Sequence, residues 1–279
     1  MRKQKVTRRD FLRAGTAAGL GLTLAGLAEA AAKKKIPIGL QVYSLREQAA
    51  KDLPGVLETV AKMGYKGVEF AGYYNHEAPA LRKMLDANGL VCCGTHAQYD
   101  TLKPDKIDAT IEFNKVIGNK YLIVPYMPAA GRQVWLDRAK EFNELAEKVK
   151  PHGMLVGYHA HAHDFEKVEG GQRAWDVFFG NTKREVVMQM DTGNCLDGKA
   201  DPVAVLKQYP GRAVTIHLKE HGGDAHTVIG QGEVKWADVF RLCEADVTEW
   251  YIVEHERGGA DSIGDVKRCL DELRKMGKL

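Results

Sequence analysis

This 279-residue sequence predicts a closed parallel (β/α)8 barrel, an α/β TIM barrel, on three observations. Eight short apolar runs alternate strictly with eight amphipathic stretches, which is what a parallel sheet covered by helices requires. The polar residues inside those runs recur with period two, so they share a face. No Ser-rich or Pro-rich linker and no charge block divides the chain after its first 30 residues, and such barrels often occupy about 250 residues as one unit.

The expected strands cover residues 36–43, 67–70, 91–95, 121–125, 155–159, 185–191, 213–218 and 250–254. Between and after them, helices are expected near 53–63, 77–88, 104–117, 132–150, 172–180, 202–209, 235–245 and 262–276. Asp52 before Leu53-Pro54 is a helix start, and Gly64, Gly89 and Gly153 are stops, because a short acidic side chain accepts an orphan N–H and glycine accepts the left-handed conformation past a helix end. An open doubly wound sheet would need a glycine-rich phosphate turn after the first strand, and Ser44-Leu45-Arg46 is not one.

Strands covered on both faces should be apolar throughout, so a polar residue inside one requires a reason. In the first strand Ile38, Leu40 and Val42 alternate with Gly39, Gln41 and Tyr43; in the second, Val68 and Phe70 flank Glu69. The third sets Val91, Cys93 and Thr95 against Cys92, Gly94 and His96. Gln189 and Asp191 share a parity in the sixth; Thr215, His217 and Lys219 alternate with Val214, Ile216 and Leu218 in the seventh; and Glu254 shares the Ile252 face in the eighth, with Tyr251 and Val253 opposite. The alternation therefore turns Gln41, Glu69, His96, Gln189, Asp191, His217 and Glu254 into the barrel, most of them at carboxyl strand ends, where barrel enzymes place their chemistry.

Asp191, His217 and Glu254 offer two carboxylates and an imidazole from three successive strands. That donor mixture suits a divalent Mn2+, Zn2+, Co2+ or Mg2+, and without a cation it would bury uncompensated charge. The fifth strand ends in Tyr158-His159-Ala160-His161-Ala162-His163-Asp164-Phe165-Glu166, whose alternate histidines face one side if the extended conformation continues. His159, nearest the strand end, is the first choice to complete the coordination. Gln41, Tyr43, Glu69, His96, His161, Gln189 and Glu166 are the candidate substrate contacts, and Lys219 is placed to neutralise oxyanion charge.

Residues 7–13, TRRDFLR, precede an uncharged run from Ala14 to Ala28, and Ala28-Glu29-Ala30 supplies a small-x-small cleavage site. Together they read as a twin-arginine export signal over residues 1–30, leaving a barrel domain over 31–279 that works in the periplasm or outside the cell. The run is 15 residues long with four glycines, short of the ~20 residues a membrane span needs, so no stable membrane anchor is expected and the translocon is the export partner. Removing the segment takes six basic and two acidic residues from totals of 40 and 37, which leaves a net charge of −1. Nucleic acid is therefore not an expected partner, since binding it calls for a strongly basic surface. Cys92, Cys93, Cys195, Cys243 and Cys269 form no CxxC pair and read as small core residues.

At these positions the chain resembles the xylose isomerase-like TIM barrel family, the sugar phosphate isomerase/epimerase group that includes an endonuclease branch. The resemblance rests on Gln41-Val42-Tyr43-Ser44-Leu45-Arg46, Gly64-Tyr65-Lys66-Gly67-Val68-Glu69, Gly94-Thr95-His96 and Tyr158-His159-Ala160-His161. It continues through Asp201-Pro202-Val203, Tyr209-Pro210-Gly211-Arg212, His217-Leu218-Lys219, Gly230-Gln231-Gly232-Glu233-Val234 and Val253-Glu254-His255, so it covers essentially the whole domain. It implies a divalent metal held from strands five to eight, by His159, Asp191, His217 and Glu254. Epimerases of the family carry a glutamate at the fifth-strand position, acting as ligand and base; a histidine here argues against symmetrical two-glutamate epimerisation. The branch with a Tyr-His-Asn-His string is closer, with Ala160 in place of its asparagine. The implied activity is proton abstraction beside the carbonyl of a carbohydrate substrate, by Glu254 or a fifth-strand histidine, giving isomerisation, epimerisation or elimination and hydration. A noncatalytic sugar-binding barrel is the alternative class.

Overall fold

The structure, a computed structural model, describes residues 35–256 and 261–279. The expected export signal and its cleavage site lie outside the described residues. Residues Lys35–Leu279 form one compact unit.

Eight strands run in sequence: β1 (Ile38–Gln41), β2 (Gly67–Phe70), β3 (Val91–His96), β4 (Tyr121–Val124), β5 (Leu155–His159), β6 (Val187–Gln189), β7 (Thr215–Leu218) and β8 (Trp250–Val253). All pairings are parallel, and β1 pairs with both β2 and β8. The seam between β6 and β7 is closed just past the end of β6 by a bridge between Asp191 and His217, with His217 N–H donating to Met190 O at 2.9 Å. Outside stand α1 (Arg46–Met63), α2 (Ala78–Asn88), α3 (Ile107–Val116), α4 (Arg132–Val149), α5 (Ala174–Asn181), α6 (Thr192–Asp197), α7 (Pro202–Gln208), α8 (Trp236–Glu244) and α9 (Ser262–Lys275). No helix among the described residues is long and apolar enough to cross a membrane.

The helix-facing parity is as expected for Leu40, Val68, Phe70, Ile216, Leu218 and Val253, which join one continuous core with the helices together with Leu122, Val124, Val156 and Tyr158. Inside, the amino-terminal end of the barrel is plugged by Tyr121, Ile123 and Val187, with Leu155, Val214 and Trp250 packed against them. The carboxyl end is therefore where the polar layer sits.

Several expectations need correction. The first strand stops at Gln41, because Val42–Leu45 winds into a 3-10 turn; Tyr43 thus leaves the inward face, is 41% exposed, and lies under the Arg46 guanidinium at 4.6 Å. In β3 the register slips between its pairings to Val68 and Glu69, so Cys93 is the extra residue. The bulge exchanges the expected places of the two cysteines: Cys92 joins the helix-facing core, while a Cβ on inward Gly39 would collide with Cys93 Sγ. Val214 packs into the plug because β7 begins only at Thr215. α1 starts at Arg46 but breaks at Asp52 (φ −153°), whose Oδ1 accepts Gly55 N–H at 3.0 Å, so the expected cap holds within a longer element. α6 was not expected at all. All five cysteines are free and buried.

Candidate metal centre

The candidate site is a buried layer of polar side chains at the carboxyl end of the barrel. Gln41, Glu69, His159, Gln189, Asp191, His217 and Glu254 are all at most 5% exposed, and the His96 side chain is 6% exposed. All seven residues that the period-two argument turned into the barrel are brought together here.

Strands β5 to β8 supply four ligand-type atoms. One each from His159, Asp191, His217 and Glu254 lie within 4.8 Å of one another. His159 ends β5, Asp191 follows β6 after Met190, Glu254 directly follows β8, and His217 lies within β7. Among the measured separations, His159 Nε2 is 3.9 Å from Glu254 Oε2, His217 Nδ1 is 3.9 Å from Asp191 Oδ2, and His217 Nδ1 is 2.7 Å from Glu254 Oε2. Asp191 also caps α6, where its Oδ1 accepts Asn194 N–H at 2.7 Å. Its Oδ2 is buried and has no hydrogen-bond partner among the described residues. A buried carboxylate oxygen left unpaired is costly, and a divalent cation is the group that this oxygen and the two-imidazole, two-carboxylate donor set fit.

Strands β1, β2, β3 and β6 hold the surrounding amides, carboxylate and imidazole. Gln41 Nε2 donates to Glu69 Oε2 at 2.8 Å, and Gln189 Nε2 donates to Glu69 Oε1 at 2.8 Å and to Thr215 Oγ1 at 3.0 Å. Gly94 must be glycine at this point, because a Cβ there would run into the Glu69 carboxylate.

The electrostatics follow from this crowding. Burial alone would raise the Glu69 carboxyl, but His96 and His217 beside it hold it well below the usual carboxylate range. Burial likewise opposes a charge on His217, yet Glu69 and Glu254 on its two sides raise it to about 10. Burial drives His159 well below its ordinary value, with His217 and His96 adding to the effect. Asp191 is pushed up by burial, partly offset by Lys219. Glu254 goes down, because His217 and Lys219 outweigh its burial.

Lys219 is not a surface lysine. It is 8% exposed, donates to Asn194 Oδ1 at 3.1 Å and pairs with Glu256. Burial opposes its charge, but Asp191, Glu254 and Glu256 raise it above the usual lysine range. The extended conformation past His159 reaches only as far as His161 (φ −125°, ψ 165°), since the chain turns at Ala162–Phe165. The His161 ring nevertheless stays 5.0 Å from that of His159, and burial lowers its imidazole to about 4. His163 Nε2 donates to Met127 O at 2.8 Å, and Glu166 is exposed and outside the cluster. Asn194 and Glu256, the partners of Lys219, were missed by the sequence reading. Asp191-Thr-Gly-Asn carried a signal for the first, as a helix start after a strand.

A parallel eight-stranded barrel with a polar carboxyl-end cluster of this composition defines the class as a barrel with a candidate metal centre. The sequence pattern of the xylose isomerase-like TIM barrel family matches residues 57–276, and the chain belongs to that family. It is similar to an inosose dehydratase of Clostridium tetani, 24% identical over 250 residues covering 73% of this chain and 82% of that protein. Among solved structures, a sugar phosphate isomerase/epimerase from Parabacteroides distasonis superposes with a TM-score of 0.77 at 26% identity, covering 86% of this chain and 98% of that one. The IolI protein, solved with a bound zinc atom, shares the fold with a TM-score of 0.67 at 15% identity over 86% of this chain and 99% of its own.

Proposed function

We propose that this chain is a divalent-metal-dependent enzyme that removes the proton beside a carbonyl of a keto-sugar or cyclic keto-polyol, with loss of water as the outcome. The carrying observation is the buried convergence of His159, Asp191, His217 and Glu254 around the unpaired Asp191 Oδ2. A bound Mn2+, Zn2+, Co2+ or Mg2+ would supply Lewis-acid polarisation of the substrate carbonyl. The similarity to an inosose dehydratase supports elimination, as does histidine in place of the second glutamate.

His161 serves as the base. It is neutral at ordinary pH, sits beside His159 and meets Tyr126 on the exposed side with ring centroids 5.4 Å apart. The carbon–hydrogen bond breaks toward its imidazole, a carbon–carbon double bond forms to the next carbon, and the hydroxyl there departs as water with the proton His161 has gained. Glu254, the other candidate base, is one of the four converging ligand-type residues. Lys219, cationic and buried, offsets negative charge growing on the substrate.

Incubation with oxidised sugars and keto-inositols in D2O, with and without Mn2+, tests the reading. Metal-dependent deuterium at the carbon beside the carbonyl, accompanied by an ultraviolet-absorbing enone, is expected. Metal and sugar binding with no exchange on any substrate would instead make this a noncatalytic binding barrel.

The same reading has the protein exported by the twin-arginine route and working in the periplasm, supported by Arg8-Arg9 and the short uncharged run after them. Joint Arg8→Lys and Arg9→Lys substitution should leave unprocessed protein in the cytoplasm, because a receptor reads the paired arginines. Undiminished periplasmic material on fractionation would refute export by this route.

A further inference from the structure

Glu69 is outside the four-residue cluster, yet N–H groups from four strands point at its fully buried carboxylate. Gln41 Nε2 and His217 Nε2 reach Oε2 at 2.8 and 2.5 Å, His96 Nε2 is 3.1 Å from the same oxygen, and Gln189 Nε2 reaches Oε1 at 2.8 Å. An ionised carboxylate only accepts. It therefore dictates which end each neighbour presents.

Gln189 must turn its NH2 to Glu69, which leaves Oε1 as an acceptor facing His159 Nδ1 at 3.1 Å and His96 Nε2 at 3.0 Å. Both of those ring nitrogens consequently carry hydrogen. His96 then has its lone pair at Nδ1, where Gln41 Nε2 stands 3.3 Å away, and Gln41 Oε1 is taken by Tyr43 N–H at 3.0 Å. His159 is left with its lone pair at Nε2, and His217, donating from Nε2, can coordinate only from Nδ1. By distance alone His96, His159 and His217 form a second trio of ligand atoms within 4.8 Å. The network occupies both nitrogens of His96 and withdraws it.

We propose that Glu69 is the positioning residue of the metal centre: directly and through Gln189 it commits His217 to bind through Nδ1 and His159 through Nε2, and it reserves the site for one ion. The inference rests on the metal-binding reading above, not on the reaction assigned to it. Glu69→Gln keeps the shape but turns an NH2 against one of the converging donors. Loss of such an outer carboxylate on a ligand histidine typically weakens metal binding about 10–100-fold.

The probe is Zn2+ alone, titrated into wild type and Glu69→Gln against a chromophoric chelator, with circular dichroism to establish that the variant is folded. One ion per chain in wild type and an affinity about 10–100-fold lower in the variant are expected. Nitrogen-15 histidine NMR of the zinc-loaded wild type needs no variant and should show hydrogen on His217 Nε2 and His159 Nδ1. If Glu69→Gln does not fold, that spectrum decides alone. Coordination through His217 Nε2, two ions per chain, or unchanged affinity in a folded variant would overturn the positioning role while leaving the metal reading standing; wild type that binds no zinc would overturn both.

Discussion

The two arcs of the barrel carry the same kinds of side chain at the same depth and use them differently. From β1 to β3, Gln41, Glu69 and His96 spend their hydrogen-bonding capacity on one another, on Gln189 and on His217. From β5 to β8, His159, Asp191, His217 and Glu254 converge within 4.8 Å and leave Asp191 Oδ2 unpaired. β4 separates the arcs with apolar Ile123, paired in register with His96 and part of the plug. Inward parity marks both arcs equally. Hydrogen-bond saturation is what tells a supporting residue from one with an atom to offer, because a buried polar atom left over must find a ligand or cost stability.

The sharpest way to break this contrast is to remove the second arc. Asp191→Ala, His217→Ala and Glu254→Ala should each strip the metal from a folded barrel and lower activity on the order of 10³-fold or more, since several kcal/mol of charge stabilisation goes with the ion. Stoichiometric metal in all three by elemental analysis would contradict the assignment.

His159 is the intermediate case, touching both the cluster and, through Gln189, the supporting arc. His159→Ala should lose most of the metal, whereas His159→Glu should keep it, because a carboxylate is an equally good donor to these ions. Metal retained in His159→Ala with a large rate loss would make His159 a base rather than a ligand. Full metal and full activity would pass the fifth-strand role to His161.

A smaller effect concerns the turn that carries His161. Asp164 accepts His161 N–H at 2.7 Å and Tyr158 O–H at 2.8 Å, and burial raises its carboxyl to about 6. The folded state thus holds this proton more tightly than the unfolded chain, with its value near 3.9. Stability from this group is fully present below about pH 4 and is lost as the pH rises through 6, by roughly 2–3 kcal/mol. Asp164→Asn should flatten that part of the stability profile; denaturant melts of both proteins with the same slope from pH 4 to 7 would remove Asp164 as its source. The smallest effects belong to Tyr43→Ala and Glu166→Ala, both exposed, which should change stability by no more than about 0.5 kcal/mol and leave metal content unchanged by elemental analysis.

The sequence by itself determined the eight-fold alternation, the helix stops at Gly64 and Gly89, and the inward parity that gathers the polar layer, because capping and period two are local properties of the chain. His159, Asp191, His217 and Glu254 were legible on that basis, helped by the family resemblance. Tertiary structure alone decided the rest. A one-residue bulge in β3 exchanged Cys92 and Cys93, the turn after Gln41 took Tyr43 off the inward face, and α6 brought Asn194 to Lys219. The division between ligands and supports was equally invisible. It depends on which donors meet which acceptors across strands, as when His217 finds Glu69 from 148 residues away, and that register exists only once the sheet has closed on itself.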